Sequence, residues 1–367
     1  MAADVISFAR GAPSADILPA DAVREAAAKA LADDWQRALS YGTGFGHPDL
    51  CAWTARELHG IDPGQVMFTN GSMEAAALLF RYMVEPGDRV IVEQPTYDRT
   101  LLLLGRTGAE LVPVPLEDDG IDIGAVERAL SDGPVKLAHV IPNFHNPAGC
   151  SLSAAKRERL VELAAEHDFW IFEDDPYRLI SFGAEVPPTM LSLDGSGHVI
   201  HASSFSKTVS PGVRAGYLAG PADHIATLAK RASEHYISPN MLAESVVLEL
   251  CRSGALAKNI ETVNAALAER RDALVAALRD RLPDAKFVVP EGGYFLWIDL
   301  PEDYDTVAAL EAAPEHGVSF VAGPDFLIDG GGSSLRLSFA SVPADRIAEG
   351  IDRLAAALES VRAGSPA

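Results

Sequence analysis

The sequence predicts an α/β protein, in which a large domain with a mainly parallel seven-stranded sheet flanked by helices joins a smaller α+β domain. Three observations predict it. Short β-branched or apolar runs alternate with amphipathic segments through the middle of the chain, and that alternation packs as parallel strands with helical crossovers. The texture changes near Pro239, where a long stretch rich in Ala, Leu, Glu and Arg begins. With 367 residues, the chain is long enough for one large core and a second, smaller one.

The predicted strands of the large sheet cover 66–69, 89–93, 110–114, 137–141, 170–173, 198–203 and 217–219, each a short run enriched in Val, Ile, Leu, Phe or Trp. Between them, 73–84, 100–106, 124–130 and 154–168 carry helical spacing. The stretch 240–281 is helical by composition, with only Gly254 interrupting it. Strands are then expected at 287–289, 294–299, 318–321 and 334–339, and helices at 305–313 and 344–361. An N-terminal helix at 20–32 is expected to pack with this second unit, which makes the small domain discontinuous: 1–37 plus 246–367, around a large domain at 38–245.

The bulk numbers exclude some functions. A formal charge of −22 disfavours nucleic-acid binding, which needs clustered Lys and Arg. No run approaches the roughly 18 apolar residues that a membrane span requires, and residues 1–10 lack a basic segment followed by an apolar one. Cys51, Cys150 and Cys251 are odd in number and far apart, without metal-ligand spacing. They are expected as packing residues, in a reducing cytoplasmic compartment, and no metal site is expected.

Ligands on open parallel sheets bind beyond the carboxyl ends of strands, and the chemistry-bearing residues fall there. Lys207 lies among hydroxyl residues in Ser203-Ser204-Phe205-Ser206-Lys207-Thr208, just after a predicted strand. Desolvated and close to another cation, such a lysine becomes a usable amine nucleophile. Ser204, Ser206 and Arg214 stand where they could bind an anion beside it. Asp174 ends a buried strand, where a carboxylate needs a cation or a proton. Asn146 belongs to the turn Asn143-Phe144-His145-Asn146-Pro147-Ala148-Gly149, and Gly71-Ser72-Met73 opens a helix whose N-terminus can hold phosphate. Each of these has an ordinary reading: a surface lysine, a helix cap, a plain turn, an N-capping serine. For Tyr41 and Tyr97 a loop aromatic, and for Arg336 an edge-strand charge, is the lesser alternative, whereas Trp297 reads as core. Their order along one sheet is the stronger signal.

That order is Gly71-Ser72, Pro95-Thr96-Tyr97, Asn146-Pro147-x-Gly149, Asp174-x-x-Tyr177, Ser204-x-x-Lys207, Arg214 and Arg336. It closely resembles the fold-type I, class I/II aminotransferases, of the aspartate-aminotransferase type, and within them the group near 2-aminoadipate and kynurenine aminotransferases. The resemblance runs from Ile6-Ser7-Phe8 to Leu335-Arg336-Leu337-Ser338-Phe339. MocR regulators share the catalytic half but add a winged helix, which this sequence does not carry.

The resemblance implies a pyridoxal 5′-phosphate enzyme moving an amino group from an L-amino acid to a 2-oxo acid. Lys207 would hold the cofactor and shuttle a proton. Asp174 would pair with the pyridine nitrogen, Asn146 and Tyr177 with the 3′ oxygen, and Tyr97 would stack on the ring. Gly71, Ser72, Met73, Ser204 and Arg214 would hold the phosphate, with Tyr41 from a partner subunit, so that a homodimer shares its active site. Arg336 would take the substrate carboxylate, assisted by Gly11 and Asn146. The sequence departs from the pattern in three places. Arg10 stands where relatives often have glycine, and reads either as an outward-pointing arginine or as one that narrows the pocket or meets an acidic side chain. Met73 replaces a polar residue, and Gly323-Pro324-Asp325-Phe326 replaces a Pro-Gly order. A lyase, decarboxylase or oxidase would use the same cofactor residues, and a non-catalytic sensing module is the rival from another class.

Overall fold

Residues 5–362 are described by the computed structural model and form three sheets. Strand β1 (Ile6–Ser7) lies near the N-terminus. The large sheet then uses β2 (Val66–Thr69), β3 (Arg89–Gln94), β4 (Glu110–Glu117), β5 (Gly120–Ile121), β6 (Leu137–Val140), β7 (Trp170–Asp174), β8 (Val199–Ser204) and β9 (Gly216–Ala219). The C-terminal unit adds β10 (Phe295–Asp299), β11 (Val318–Ser319), β12 (Val321–Ala322) and β13 (Ser334–Ser338).

All seven expected strands enter one sheet in the order β2-β9-β8-β7-β6-β3-β4, and β5 adds a short eighth strand by folding back on β4. Strands β4, β3, β6, β7 and β8 pair in parallel, whereas β9 runs antiparallel to both β8 and β2. Two reversals restore direction, so β2 ends at the same edge as β8. The loops after β2, β3, β6, β7 and β8 therefore open on one edge, which puts widely spaced sequence segments side by side.

Both faces of the sheet are covered, as a parallel sheet requires. The period of two along a strand sorts the side chains: Val90 and Val92 join one cluster with Leu79, Phe80 and Leu228, while Ile91 joins the opposite cluster with Val126, Leu160 and Val161. Burial of these aliphatic and aromatic groups, at roughly 1.5–3 kcal/mol each, is the main stabilising term.

The C-terminal unit packs the antiparallel sheet β10-β13-β12 with the helices Ala255–Arg281 and Ala344–Ser360. Gly254, at φ +79°, ends the helix Met241–Ser253 and lets the next begin. Three expectations are revised. The segment 287–289 is not a strand; only Lys286 bridges to Asp299, and Pro290 follows. The expected strand at 318–321 splits, because Val318 and Ser319 pair with β1 while Val321 and Ala322 pair with β13. The helix Ala20–Asp33 packs mainly on Met241–Ser253, with Ala26 among Leu50, Phe68 and Val247, so the part of the N-terminal segment that joins the small unit is the stretch from β1 to Ile17. Alanine gives that helix a face small enough for close approach to the large unit.

Candidate active site

At the shared edge of the large sheet, two adjoining cavities meet at Tyr97, Asn146, Tyr177 and Lys207. The inner one holds about 150 Å³ and also touches Ser72, Met73, Asp174, Ser204, Ser206 and Arg214. The outer one, about 390 Å³, is bounded by Gly11, Asp98, Arg99, Phe295, Asp325, Phe326 and Arg336.

Lys207 follows β8 and turns its amine inward. Nζ donates to the Gly11 carbonyl at 2.7 Å and lies over the rings of Tyr177 (5.4 Å) and Tyr294 (5.0 Å). Burial pushes the amine down to about 8, with the Arg336 and Arg214 cations adding to the effect and Asp174 opposing it. The amine is therefore neutral far more often near neutral pH than an ordinary lysine.

Asp174 closes β7. Its Oδ2 lies 3.5 Å from His139 Nε2, while Oδ1 is buried without a hydrogen-bond partner. A buried carboxylate oxygen left over in this way needs a donor. Tyr97 is pushed up to about 12 by burial and by the Asp98 and Asp174 carboxylates, and burial holds Tyr177 well above its usual range, so both phenols remain donors.

The inner cavity ends at the start of the helix Ser72–Met83, where backbone N–H groups lack helical partners. Arg214, in the left-handed region at φ +48°, reaches across it, with Nη2 donating to Asn70 O at 3.0 Å and Nη1 to Ser206 Oγ at 3.4 Å. Gly71 has φ +94°, and a Cβ there would stand 2.1 Å from Arg214 Nη2. At Gly216, a Cβ would come within 2.5 Å of Ser72 N. Both positions need the missing side chain for helix start and guanidinium to approach. Ser204 Oγ accepts from Ser206 N–H at 3.0 Å and is thereby oriented.

In the outer cavity Arg336, on β13, is 6% exposed. Nη1 donates to Asn146 Oδ1 at 3.0 Å and Nη2 to Ala9 O at 2.7 Å, and the guanidinium lies between the rings of Phe295 (4.3 Å) and Phe326 (4.8 Å). Its Nε is buried without a partner, leaving a donor for an incoming carboxylate.

The donor set fits pyridoxal phosphate: a lysine amine for the aldehyde, an unpartnered aspartate oxygen for the pyridine nitrogen, and a helix start with serine and arginine for the phosphate. Fold and site together define a fold-type I enzyme that depends on this cofactor. The family model for class I and II aminotransferases matches residues 3–354, and the chain belongs to that family. It is 35% identical to aromatic-amino-acid aminotransferase 1 of Thermococcus litoralis, over 96% of this chain and 87% of that one. To the 2-aminoadipate transaminase of Thermus thermophilus it is 32% identical, over 98% and 91% of the two chains. The kynurenine aminotransferase of Pyrococcus horikoshii, solved in complex with PMP, superposes with a TM-score of 0.93 at 32% identity, covering 97% of this chain and 91% of that one. The chain is accordingly an aminotransferase.

Gly11, Ser72, Met73, Tyr97, Asn146, Asp174, Tyr177, Ser204, Lys207, Arg214 and Arg336 line these two cavities, and Gly71 sits against Arg214 beside the inner one. Tyr41, 84% exposed, lies outside them, a few residues along the chain from the exposed Trp35 and Leu39. Arg10 is exposed and is not brought to the outer cavity. Trp297 is core, edge-on to Phe326. Sequence reasoning missed His139, Tyr294 and the pair Phe295/Phe326. A histidine inside an apolar strand was a visible signal for the first, whereas the aromatic pair acts only through a tertiary contact. No helix among the described residues is long and apolar enough to cross a membrane.

Proposed function

We propose that these residues act in the transfer as follows. Pyridoxal phosphate, when bound, supplies an electron sink conjugated to the substrate α-carbon. Lys207 would hold the cofactor, and its amine, once freed, would take up and return the proton at the substrate α-carbon. Asp174 keeps the pyridine nitrogen protonated through Oδ1. Asn146 and Tyr177 donate to the 3′ oxygen, and Tyr97 covers the ring face. Ser72, Met73, Ser204 and Arg214 hold the phosphate, and Gly71 leaves room for it. Arg336 binds the α-carboxylate, with Asn146 and the Gly11 backbone shaping its surroundings.

The observation that carries this reading is the meeting of a buried amine, an orphaned carboxylate oxygen and a buried guanidinium with a spare N–H at two touching cavities. It is tested by the visible spectrum of the purified protein with a panel of amino acids. A cofactor band that bleaches with particular amino acids and returns with a 2-oxo acid supports it. A band unchanged in Lys207→Ala overturns the assignment of Lys207.

We infer further that the enzyme is a homodimer in which Tyr41 reaches the partner's phosphate site. Tyr41, Trp35 and Leu39, close together in sequence, are all exposed large apolar side chains, which a second copy could cover. Mixing Tyr41→Phe with Lys207→Ala subunits checks this, since a shared site gives hybrids whose activity differs from the average of the parents. Three free, buried cysteines support a cytoplasmic location, which fractionation tests.

A further inference from the structure

Tyr294 is fully buried at the entrance of β10, and nothing in the functional reading uses it. Its backbone belongs to the C-terminal unit, where its carbonyl accepts from Phe339 N–H at 3.1 Å. Its side chain leaves that unit and meets Lys207 twice. The phenol hydroxyl donates to the Lys207 carbonyl oxygen at 3.0 Å. The ring faces Lys207 Nζ at 5.0 Å, next to Tyr177, whose ring centroid is 5.5 Å away. One side chain thus grips both ends of the lysine, and it comes from a different unit than the strand that carries Lys207.

We propose that Tyr294 is a positioning residue for Lys207: its hydroxyl fixes the lysine backbone, and its ring, with that of Tyr177, cradles the amine when it carries a proton. The proposal rests on the reading of Lys207 as the proton-moving amine. The physical reason is the ring quadrupole, whose negative face attracts an ammonium and is most effective where water is excluded. Burial and the Arg336 and Arg214 guanidinium groups oppose a charge on Nζ, while Asp174 and the Gly11 carbonyl favour it. A proton shuttle must hold that charge for part of each cycle, and the aromatic faces offset the opposition without providing an acceptor that would keep the proton.

Competitive acetylation tests this by reporting the neutral fraction of each amine against pH, with peptide mass spectrometry. It is applied to the full chain loaded with pyridoxamine phosphate, in which Lys207 is free. In Tyr294→Leu the Lys207 titration is expected to move down by about 0.5–1.5 pH units relative to the unaltered chain. Replacing Tyr294 by pentafluorophenylalanine keeps the shape, removes the attractive face and is expected to shift in the same direction, which covers the case of an unfolded leucine variant. Tyr294→Phe keeps the face, so its titration is expected to stay in place. Without the hydroxyl, kcat falls a few-fold, KM stays unchanged, and the isotope effect with an α-deuterated amino acid rises. An unmoved titration in the leucine and fluorinated variants overturns the proposal. So does an upward shift, which would mean that the ring only excludes water. If Lys207→Ala keeps the cofactor band, the reading of Lys207 itself fails instead, whatever Tyr294 does.

Discussion

Replacing Arg336 by lysine isolates what the guanidinium geometry contributes beyond its charge. Two of its N–H groups are committed to fixed protein acceptors, Asn146 Oδ1 and Ala9 O, while Nε is buried and unused. A lysine keeps the charge but gathers its donors at one point, so it cannot serve those two acceptors and a two-point carboxylate together. It also loses the flat contact with Phe295 and Phe326. The loss of one charge-assisted hydrogen bond is worth about 1.5–3 kcal/mol, which corresponds to about 10- to 150-fold in kcat/KM. The assay is the bleaching of the visible cofactor band, measured with an amino acid and with the amine formed by removing its carboxyl group. The amino acid is expected to lose the full factor, mainly through KM, because its carboxylate is bound in both ground and transition states. The amine, with nothing to place on Arg336, is expected to change by less than about three-fold. Equal losses for the two substrates would refute the reasoning, since they would mean that Arg336 supports the site's shape rather than the carboxylate.

Asp174→Asn removes the carboxylate whose Oδ1 is unpartnered, and kcat is expected to fall about 10²–10³-fold with the cofactor still bound, measured in single turnovers. Gly71→Ala puts a Cβ 2.1 Å from Arg214 Nη2 at φ +94°, and cofactor affinity is expected to fall, as read by equilibrium dialysis. If Lys207 is the base as proposed, the rate of α-proton removal is expected to rise with pH and level off above about 8, because an amine accepts a proton only when neutral; stopped-flow bleaching across pH checks this. Glu244 is buried and pushed up to about 8, mainly by burial, with one hydrogen bond from His47 N–H at 2.6 Å. The folded state then binds more protons than the unfolded one between the ordinary carboxyl range and about 8, so Glu244's contribution to stability falls as pH rises through that window. Denaturant midpoints for Glu244→Gln are expected to vary less across it.

Much of this protein was determined by its sequence alone. Strand positions were legible because a buried parallel strand must be apolar on both faces, and runs such as those at 89–93 and 170–173 have no other comfortable place. The loops of the candidate site were legible for a related reason: Lys207, Asp174 and Asn146 lie at or just after the ends of such runs, at the open edge of the sheet. The sequence could not decide which distant residues share a wall. The Arg336 guanidinium could have been an edge charge until β13 paired with β10 and set it between Phe295 and Phe326. The helix expected at 20–32 was assigned to the smaller unit, and complementarity of its alanine face with Met241–Ser253 placed it elsewhere. Tyr294 gave no sign of a role, because its meaning lies wholly in contacts with Lys207, 87 positions earlier in the chain. Periodicity records the local competition between core and solvent, whereas a contact between two units depends on a packing arrangement that no local pattern specifies.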